Sequence, residues 1–540
     1  MPDDIKLLSH QVDPSQALAD CLYNTNSNVG RLVIGPTGCG KTYVMAWAIK
    51  QAQLKWPELF TYNDNDMFRL HPVMVLTTKN GITQMQRAFS KCGLKSVEVI
   101  SADSLKGKYG DNYIDWITTT DGRNREIIVP VWREAEMPKV IFMDECQNGK
   151  NPKSQRAKVI QAYINQGGKV IFVSATPFQK GAECKLIATG CRLTTDEEFE
   201  FWVGYTTGYM QNDNSPIAIS RIKKQLEDNG VLINISNVRY PFKPITRNWL
   251  IDPTPQQASN IQASVEKYLK AREEAGKDPH SEMIMKWQAQ RVMRLECELE
   301  RVPNICIHAR EHDLEHGKAI IIASNYIPTL KACWRYLVRT LGVKPEEISF
   351  LIGGMTDKDK QKNIDDFQIG RTKYFLTTLK SGGTGLNLHH EHESAKPRVI
   401  ILPPTWSVYE LLQVLGRAQR ITNLSQVIQI IAWFKGTVEQ DVAARMEARY
   451  SCIRELIGRK DNYIANIFEK ALQKSSDKKL MDSIIDEEQN DDIENSLIFE
   501  DTDDGKVVVK GKKSTNKDKD TDDDETEVFF DLDMLCEDSN

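Results

Sequence analysis

Short, uninterrupted apolar runs recur through the first 180 residues: RLVIG (31–35), VMVLTT (73–78), VEVIS (97–101), VIFMD (140–144) and KVIFVSA (169–175). A second series follows with KAIIIAS (318–324), ISFLIG (348–353), KYFLTT (373–378), RVIIL (398–402) and VIQIIAW (427–433). Helix-length polar segments separate them. Strands that are apolar at every position, not at alternate ones, are those of parallel sheets covered on both faces by helices. The pattern therefore predicts α/β architecture with two open parallel sheets in tandem. Between the series, roughly 181–315 is poor in strand signals and contains the helix-like QASVEKYLKAREEA and KWQAQRVMRLECELE. The proline-rich RYPFKPITRNWLIDPTPQQ is the natural cut. The expected organisation is a first lobe over 1–245, a second lobe with a helical lead-in over 246–465, and a tail over 466–540.

The tail changes the charge picture. Residues 471–540 hold 9 Lys+Arg against 23 Asp+Glu, a net of −14, so the remainder holds 61 against 52, a net of +9. A basic body favours a polyanionic partner, and the acidic, weakly apolar tail is expected to be disordered. Its end, EVFFDLDMLCED, has the look of a short segment that folds onto a protein partner, although a merely solubilising tail reads equally well. The 540 residues, 40% hydrophobic and 27% charged, are those of a soluble protein. With no apolar run of about 18 residues, and no signal-like stretch in MPDDIKLLSH, an intracellular protein without membrane association is expected. The eleven cysteines are scattered, with no C-x-x-C pair. Cys297, Cys306, His308 and His312 are too loosely spaced for zinc and are expected to be core cysteines and surface histidines.

Candidate chemistry begins at GPTGCGKT, Gly35 to Thr42, between the strand RLVI and the helix-like YVMAWAIKQAQ. In that context the G-x-x-x-x-G-K-[ST] pattern wraps phosphates with the backbone of Gly35, Pro36, Thr37, Gly38, Cys39 and Gly40. Lys41 reaches the β/γ oxygens, Thr42 supplies a hydroxyl to Mg²⁺, and the helix turns its positive end on the anion. Asp144 and Glu145, side by side after VIFM, repel each other unless something uses them. A parallel sheet places its ligand beyond the carboxyl ends of its strands, so the pair can share the P-loop's site. Asp144 is then expected to hold the magnesium of Mg-ATP, and Glu145 to orient and deprotonate the attacking water. Upstream, Gln11 sits where an amide could meet the adenine edge, with Gln16 as competitor.

On these residues the chain resembles the superfamily-two helicases and translocases over nearly all of 5–450. GPTGCGKT resembles motif I, VLTTKNGITQMQ motif Ia, MDECQ the DExx box and VSATP motif III. SGGTGLNL (381–388) resembles motif V and QVLGRAQR (413–420) motif VI. The extended DECQNGKNPKSQRAK, GGTGLNL and VIQIIAWFKGTVEQDV are closest in flavour to the Swi/Snf-type group with its phage and large-virus relatives. Gln147, where Ala-His is common, and SATP for the remodellers' S-G-T-P depart from it.

The resemblance implies two RecA-like lobes and an ATP-dependent motor on nucleic acid, DNA and double-stranded by preference. It implies that Arg417 and Arg420, with Gln413, reach across to the ATP, and that Gly383 approaches a phosphate. Gln147, Ser174, Ala175 and Thr176 would relay the state of the γ-phosphate. Backbone contacts would come from Thr77, Thr78 and Lys79 in the first lobe, and from Ser324, Asn325, Thr378, Lys380 and Ser381 in the second, though each could equally cap a helix. A strand-separating DNA or RNA helicase, and an ATP-switched assembly factor recruiting through the tail, are the alternatives.

Overall fold

The structure is a computed structural model that describes residues 6–61, 71–94, 97–120, 125–209, 215–274, 279–382 and 387–457, with three tail strands at 497–501, 507–511 and 528–530. The chain divides into two compact units, 1–267 with 292–476 and 268–291 with 477–540.

In the first half, strands β1 (Arg31–Ile34), β2 (Val73–Thr77) and β3 (Glu98–Ser101) are followed by a hairpin of β4 (Ile114–Thr120) and β5 (Glu126–Trp132). Then come β6 (Val140–Asp144), β7 (Val170–Ser174) and β8 (Leu232–Asn234). Six of these form one sheet in the order β3-β2-β6-β7-β1-β8, all neighbours parallel. Alternate residues of each run feed different cores. Leu32, Ile34, Met74, Leu76, Ile141, Met143 and Phe172 pack on one face, and Val33, Val75, Phe142, Ile171 and Val173 on the other. Period-2 geometry with both faces covered is why the runs have no polar positions.

The second sheet repeats the plan. Its strands are β9 (Ile245–Ile251), β10 (Ala319–Ser324), β11 (Ile348–Leu351), β12 (Tyr374–Thr378), β13 (Arg398–Leu402) and β14 (Ile428–Phe434), in the order β11-β12-β10-β13-β14-β9, all neighbours parallel. All ten strands read from the apolar runs are present, and the two parallel-sheet α/β lobes stand as expected. Both sheets belong to the first compact unit.

Helix Val438–Ile457 serves both lobes. Val438 packs in the second-lobe core, whereas Cys452 and Leu456 pack in a first-lobe core. Lys223 Nζ and Asn234 Nδ2 then donate to the carbonyls of Glu455 and Ile457, at 3.1 and 3.4 Å.

Within the tail, β15 (Leu497–Asp501), β16 (Val507–Gly511) and β17 (Val528–Phe530) form an antiparallel sheet. The β-branched run VVVK and the Phe529–Phe530 pair supply the local β propensity for these strands. Among the described residues no helix is long and apolar enough to cross a membrane. Cys297 and Cys306 are core residues, while His308 and His312 stack edge-on at 4.7 Å, His308 also lying 4.5 Å from the Trp249 ring. The reading of His312 as a surface residue is corrected, since it is only 9% exposed.

Candidate active site

The loop after β1 turns through two left-handed glycines, Gly38 (φ +78°) and Gly40 (φ +86°), into helix Lys41–Lys55. A side chain at either would be strained and crowded: a Cβ on Gly38 would sit 2.8 Å from the Gln419 carbonyl, and one on Gly40 2.1 Å from the Gln11 amide. Cys39 points into the core, where burial raises its thiol pKa, so it offers the site only backbone. Lys41 Nζ donates to the carbonyls of Gly35 (3.0 Å) and Pro36 (3.2 Å), folded over its own loop. Gln11 is buried and bridges the loop to its own helix, donating to Cys39 O at 3.0 Å and accepting from Leu8 N at 2.9 Å. Gln16 is elsewhere, bonded on the surface to Asp20.

Beyond β6 the two adjacent carboxylates diverge. Asp144 accepts from the Thr77 hydroxyl at 3.0 Å. Burial first, then the neighbouring Glu145 charge, pushes the Asp144 carboxyl up to about 7 against the pull of Lys41, Thr77 and Arg417. Glu145 takes a left-handed backbone, φ 52° and ψ 53°, and its Oε2 accepts from Gln147 Nε2 at 2.8 Å. Gln147 Oε1 in turn accepts from the Ser174 hydroxyl at 2.6 Å, and Ser174 Oγ accepts from Thr176 N at 2.8 Å. Glu145, Gln147, Ser174 and Thr176 are thus one continuous hydrogen-bonded line, with Ala175 buried beside it.

The second lobe closes this site through helix Val408–Ala418. Gly416 lies so close to the P-loop that a Cβ there would fall 2.1 Å from Thr37 Oγ1. Arg417 follows, its guanidinium 4.0 Å from Glu145 Oε1 with 13% of the side chain exposed. Burial lowers its pKa, countered by Glu145 and Asp144. One cavity of about 740 Å³ is lined by Gln11, Thr37, Lys41, Thr42, Asp144 and Glu145 from the first lobe and by Gln413, Arg417 and Arg420 from the second. Gly383 lies outside the described residues, as do Thr384 and Gly385.

Two helicase family models match the chain, one described as DEAD/DEAH box helicase over residues 14–183 and one as helicase conserved C-terminal domain over 299–422, and together they cover both lobes. The chain belongs to the superfamily-two helicases and translocases. It is an ATPase of helicase type, an ATP-dependent motor on nucleic acid. "Putative ATP-dependent RNA helicase L364" of Acanthamoeba polyphaga mimivirus is 23% identical over 435 residues, 73% of each chain. Human "DNA excision repair protein ERCC-6-like" is 32% identical over 105 residues, 19% of this chain and 8% of that one. A solved "Sulfolobus solfataricus SWI2/SNF2 ATPase core in complex with dsDNA" aligns over 90% of this chain and 98% of that one at 14% identity. Its TM-score of 0.33 is too low to add to the assignment.

The expected nucleic-acid contacts divide. Lys79 and Lys380 are exposed at the ends of β2 and β12, with Thr78 and Ser381 half-buried beside them. Thr77, Ser324 and Thr378 are buried and engaged. Thr77 holds Asp144, Ser324 donates to Glu298, and Thr378 Oγ1 accepts from Ser381 N at 3.2 Å. Asn325 Nδ2 donates to Glu298 and to Pro404 O. Their hydroxyls and amides point inward because buried carboxylates need donors and helix starts need acceptors. Sequence reasoning missed Gly416 as a packing element and missed Tyr409 and Glu183. The spacing of QVLGR marks the first. Nothing local marks the other two, which lie 226 residues apart.

Proposed function

We propose that the chain is a DNA translocase of the Swi/Snf type, hydrolysing ATP between its two lobes to step along double-stranded DNA. The observation that carries this is the convergence of Lys41, Asp144 and Glu145 from one lobe with Arg417 from the other on a single cavity. The residues fit Mg-ATP. Gly38 and Gly40 leave a cradle that side chains would fill, and the Thr42 hydroxyl with the Asp144 carboxylate is the oxygen donor set a hard cation takes. Such a cation, when bound, neutralises charge on the phosphates.

Each residue then has a task. Lys41 leaves the Gly35 and Pro36 carbonyls to meet phosphate oxygens. Asp144 and Thr42 hold the cation. Glu145, its carboxylate fixed by Gln147, orients and accepts a proton from water. Arg417 stabilises charge developing in the transition state, with Arg420 beside it, and Gln413 lines the approach. Gln147, Ser174 and Thr176 carry the position of Glu145 to the end of β7. Because the arginine sits on the other lobe, hydrolysis requires closure, and closure and opening are the stepping motion. Lys79 and Lys380, with Thr78 and Ser381, grip backbone phosphates, as the net charge of the body supports.

ATPase rate is measured against double-stranded DNA, single-stranded DNA and RNA, alongside displacement of a triplex strand and of a duplex strand. Triplex displacement without unwinding supports the translocase. Stimulation by RNA with duplex unwinding supports the helicase reading, which the name of the mimivirus relative favours. Absence of stimulation by any nucleic acid refutes both.

A further inference from the structure

Helix Val408–Ala418 is attached to the first lobe near both ends. At its C-terminal end are the Gly416–Thr37 and Arg417–Glu145 approaches. Near its start Tyr409, 5% exposed, donates its hydroxyl to Glu183 Oε2 at 3.1 Å, while Lys150 Nζ lies 4.8 Å from the centre of its ring. Eight residues of α-helix separate the two attachments by about 12 Å. The helix is packed in its own lobe, so a single attachment near Arg417 would leave that lobe free to pivot about it, and two attachments fix its orientation.

Glu183 is itself tied to the segment after motif III, accepting from Gln179 N at 2.8 Å and from Lys180 N at 3.4 Å. The contacts therefore form a ring. From Glu145 it runs through Gln147 to Ser174, along the chain to Gln179 and Glu183, across to Tyr409, and down the helix to Arg417, which faces Glu145 again. Two links of the ring cross between lobes, so both exist only when the lobes are closed.

We propose that Tyr409 is a positioning residue that couples lobe closure to catalysis: its clasp on Glu183 and Lys150 aims Arg417 at the nucleotide and ties that alignment to the segment leaving motif III. This rests on the role given to Arg417 above. A phenol hydroxyl bonded to a carboxylate is a charge-assisted bond, stronger than a neutral one, and here it is made in the closed state.

The test uses the full chain. Tyr409→Phe keeps the ring over Lys150 and removes the hydroxyl, Tyr409→Ala removes both, and Glu183→Gln replaces the acceptor's charge. Turnover, KM for ATP, affinity for a fluorescent ATP analogue and thermal unfolding are measured for each. Tyr409→Phe is expected to lower kcat on the order of tenfold, the size of one charge-assisted bond made only in the reacting state, with KM, analogue affinity and Tm unchanged. Its effect is expected to shrink when Glu183→Gln is already present, and to vanish in an Arg417→Ala background, where no guanidinium remains to be aimed. Wild-type turnover of Tyr409→Phe, or kcat losses that multiply independently in both backgrounds, would overturn the proposal. If Arg417→Ala alone turns over normally, the role of Arg417 is what fails. The Tyr409–Glu183 coupling is then still read from the Tyr409→Phe, Glu183→Gln pair.

Discussion

Gly416→Ala adds one methyl at the point where the motif VI helix meets the P-loop. The three nearest atoms to that methyl are all in the Thr37 side chain: Oγ1 at 2.1 Å, Cβ at 2.4 Å and Cγ2 at 3.0 Å. Cβ cannot rotate away, so the lobes must separate by about an ångström to reach van der Waals distance. Overpacking of this kind costs roughly 1–3 kcal/mol. Because the clash is between lobes and not within a core, the penalty falls on the closed state alone. Converted at about 1.4 kcal/mol per decade, kcat should drop roughly 5- to 150-fold. Binding of a fluorescent ATP analogue, which needs Lys41 and the first-lobe loop, should change little, and so should Tm. Thr37→Gly removes all three clashing atoms, so the double variant should recover turnover relative to Gly416→Ala. Steady-state ATPase assays with saturating nucleic acid decide it. Undiminished turnover in Gly416→Ala, or a loss that Thr37→Gly fails to relieve, would show that the reacting lobes do not meet as they do here.

Glu145→Gln should bind ATP yet lose turnover, read by analogue binding beside phosphate release; retained turnover would remove Glu145 as the base. Gln147→Glu puts a second carboxylate 2.8 Å from Glu145 and should cut kcat at least tenfold at pH 8 while leaving nucleotide affinity in place. In the second lobe, Arg301 and Glu439 form an ion pair with both side chains almost fully buried. Removing one partner, as in Arg301→Met, should cost about 3–5 kcal/mol in urea unfolding, and a smaller loss in the Arg301→Met, Glu439→Leu double variant would show that the stranded charge is responsible. Asp103 has a folded pKa of about 2: burial raises it, but hydrogen bonds from Lys106 and Arg156 lower it further. A depressed carboxylate stabilises the fold above its unfolded pKa near 4 and loses that contribution as pH falls from about 4 to 2. With 40% of the side chain exposed, screening leaves about 1 kcal/mol, which should be absent in Asp103→Asn.

The parallel strands were legible because burial on both faces leaves no alternative to an apolar run, and the P-loop because its requirement is local: glycines at fixed offsets between a strand and a helix. What escaped the sequence escaped for physical reasons. β9, ITRNWLI, is a sheet-edge strand with polar positions, and β5, EIIVPVW, carries a proline that argues against a strand. The direction in which a strand-end hydroxyl points is set by its tertiary neighbours. Thr77, Ser324 and Thr378 therefore read from sequence as phosphate contacts and turned out to hold Asp144, Glu298 and a helix start.

The adjacent carboxylates show what backbone geometry adds to a motif. Successive residues of an ideal strand point to opposite faces, which would carry Glu145 away from the cleft if β6 simply continued. The strand stops at Asp144, and Glu145 turns into the left-handed region, a conformation that costs a non-glycine residue about 1–2 kcal/mol. The turn sends the two side chains to different partners, Asp144 to Thr77 and Glu145 to Gln147 and Arg417. Repulsion between them is thereby reduced by separation and by donors, and the residue that holds Glu145 in place is Gln147. An amide suits that position because it donates to Glu145 and accepts from Ser174 at once. A carboxylate could do only the second, and an imidazole could do both only in one tautomer, whereas the amide keeps both bonds at any pH. The departure from the family's common Ala-His ending thus leaves a link between the Glu145 carboxylate and the end of β7, through a group that does not titrate.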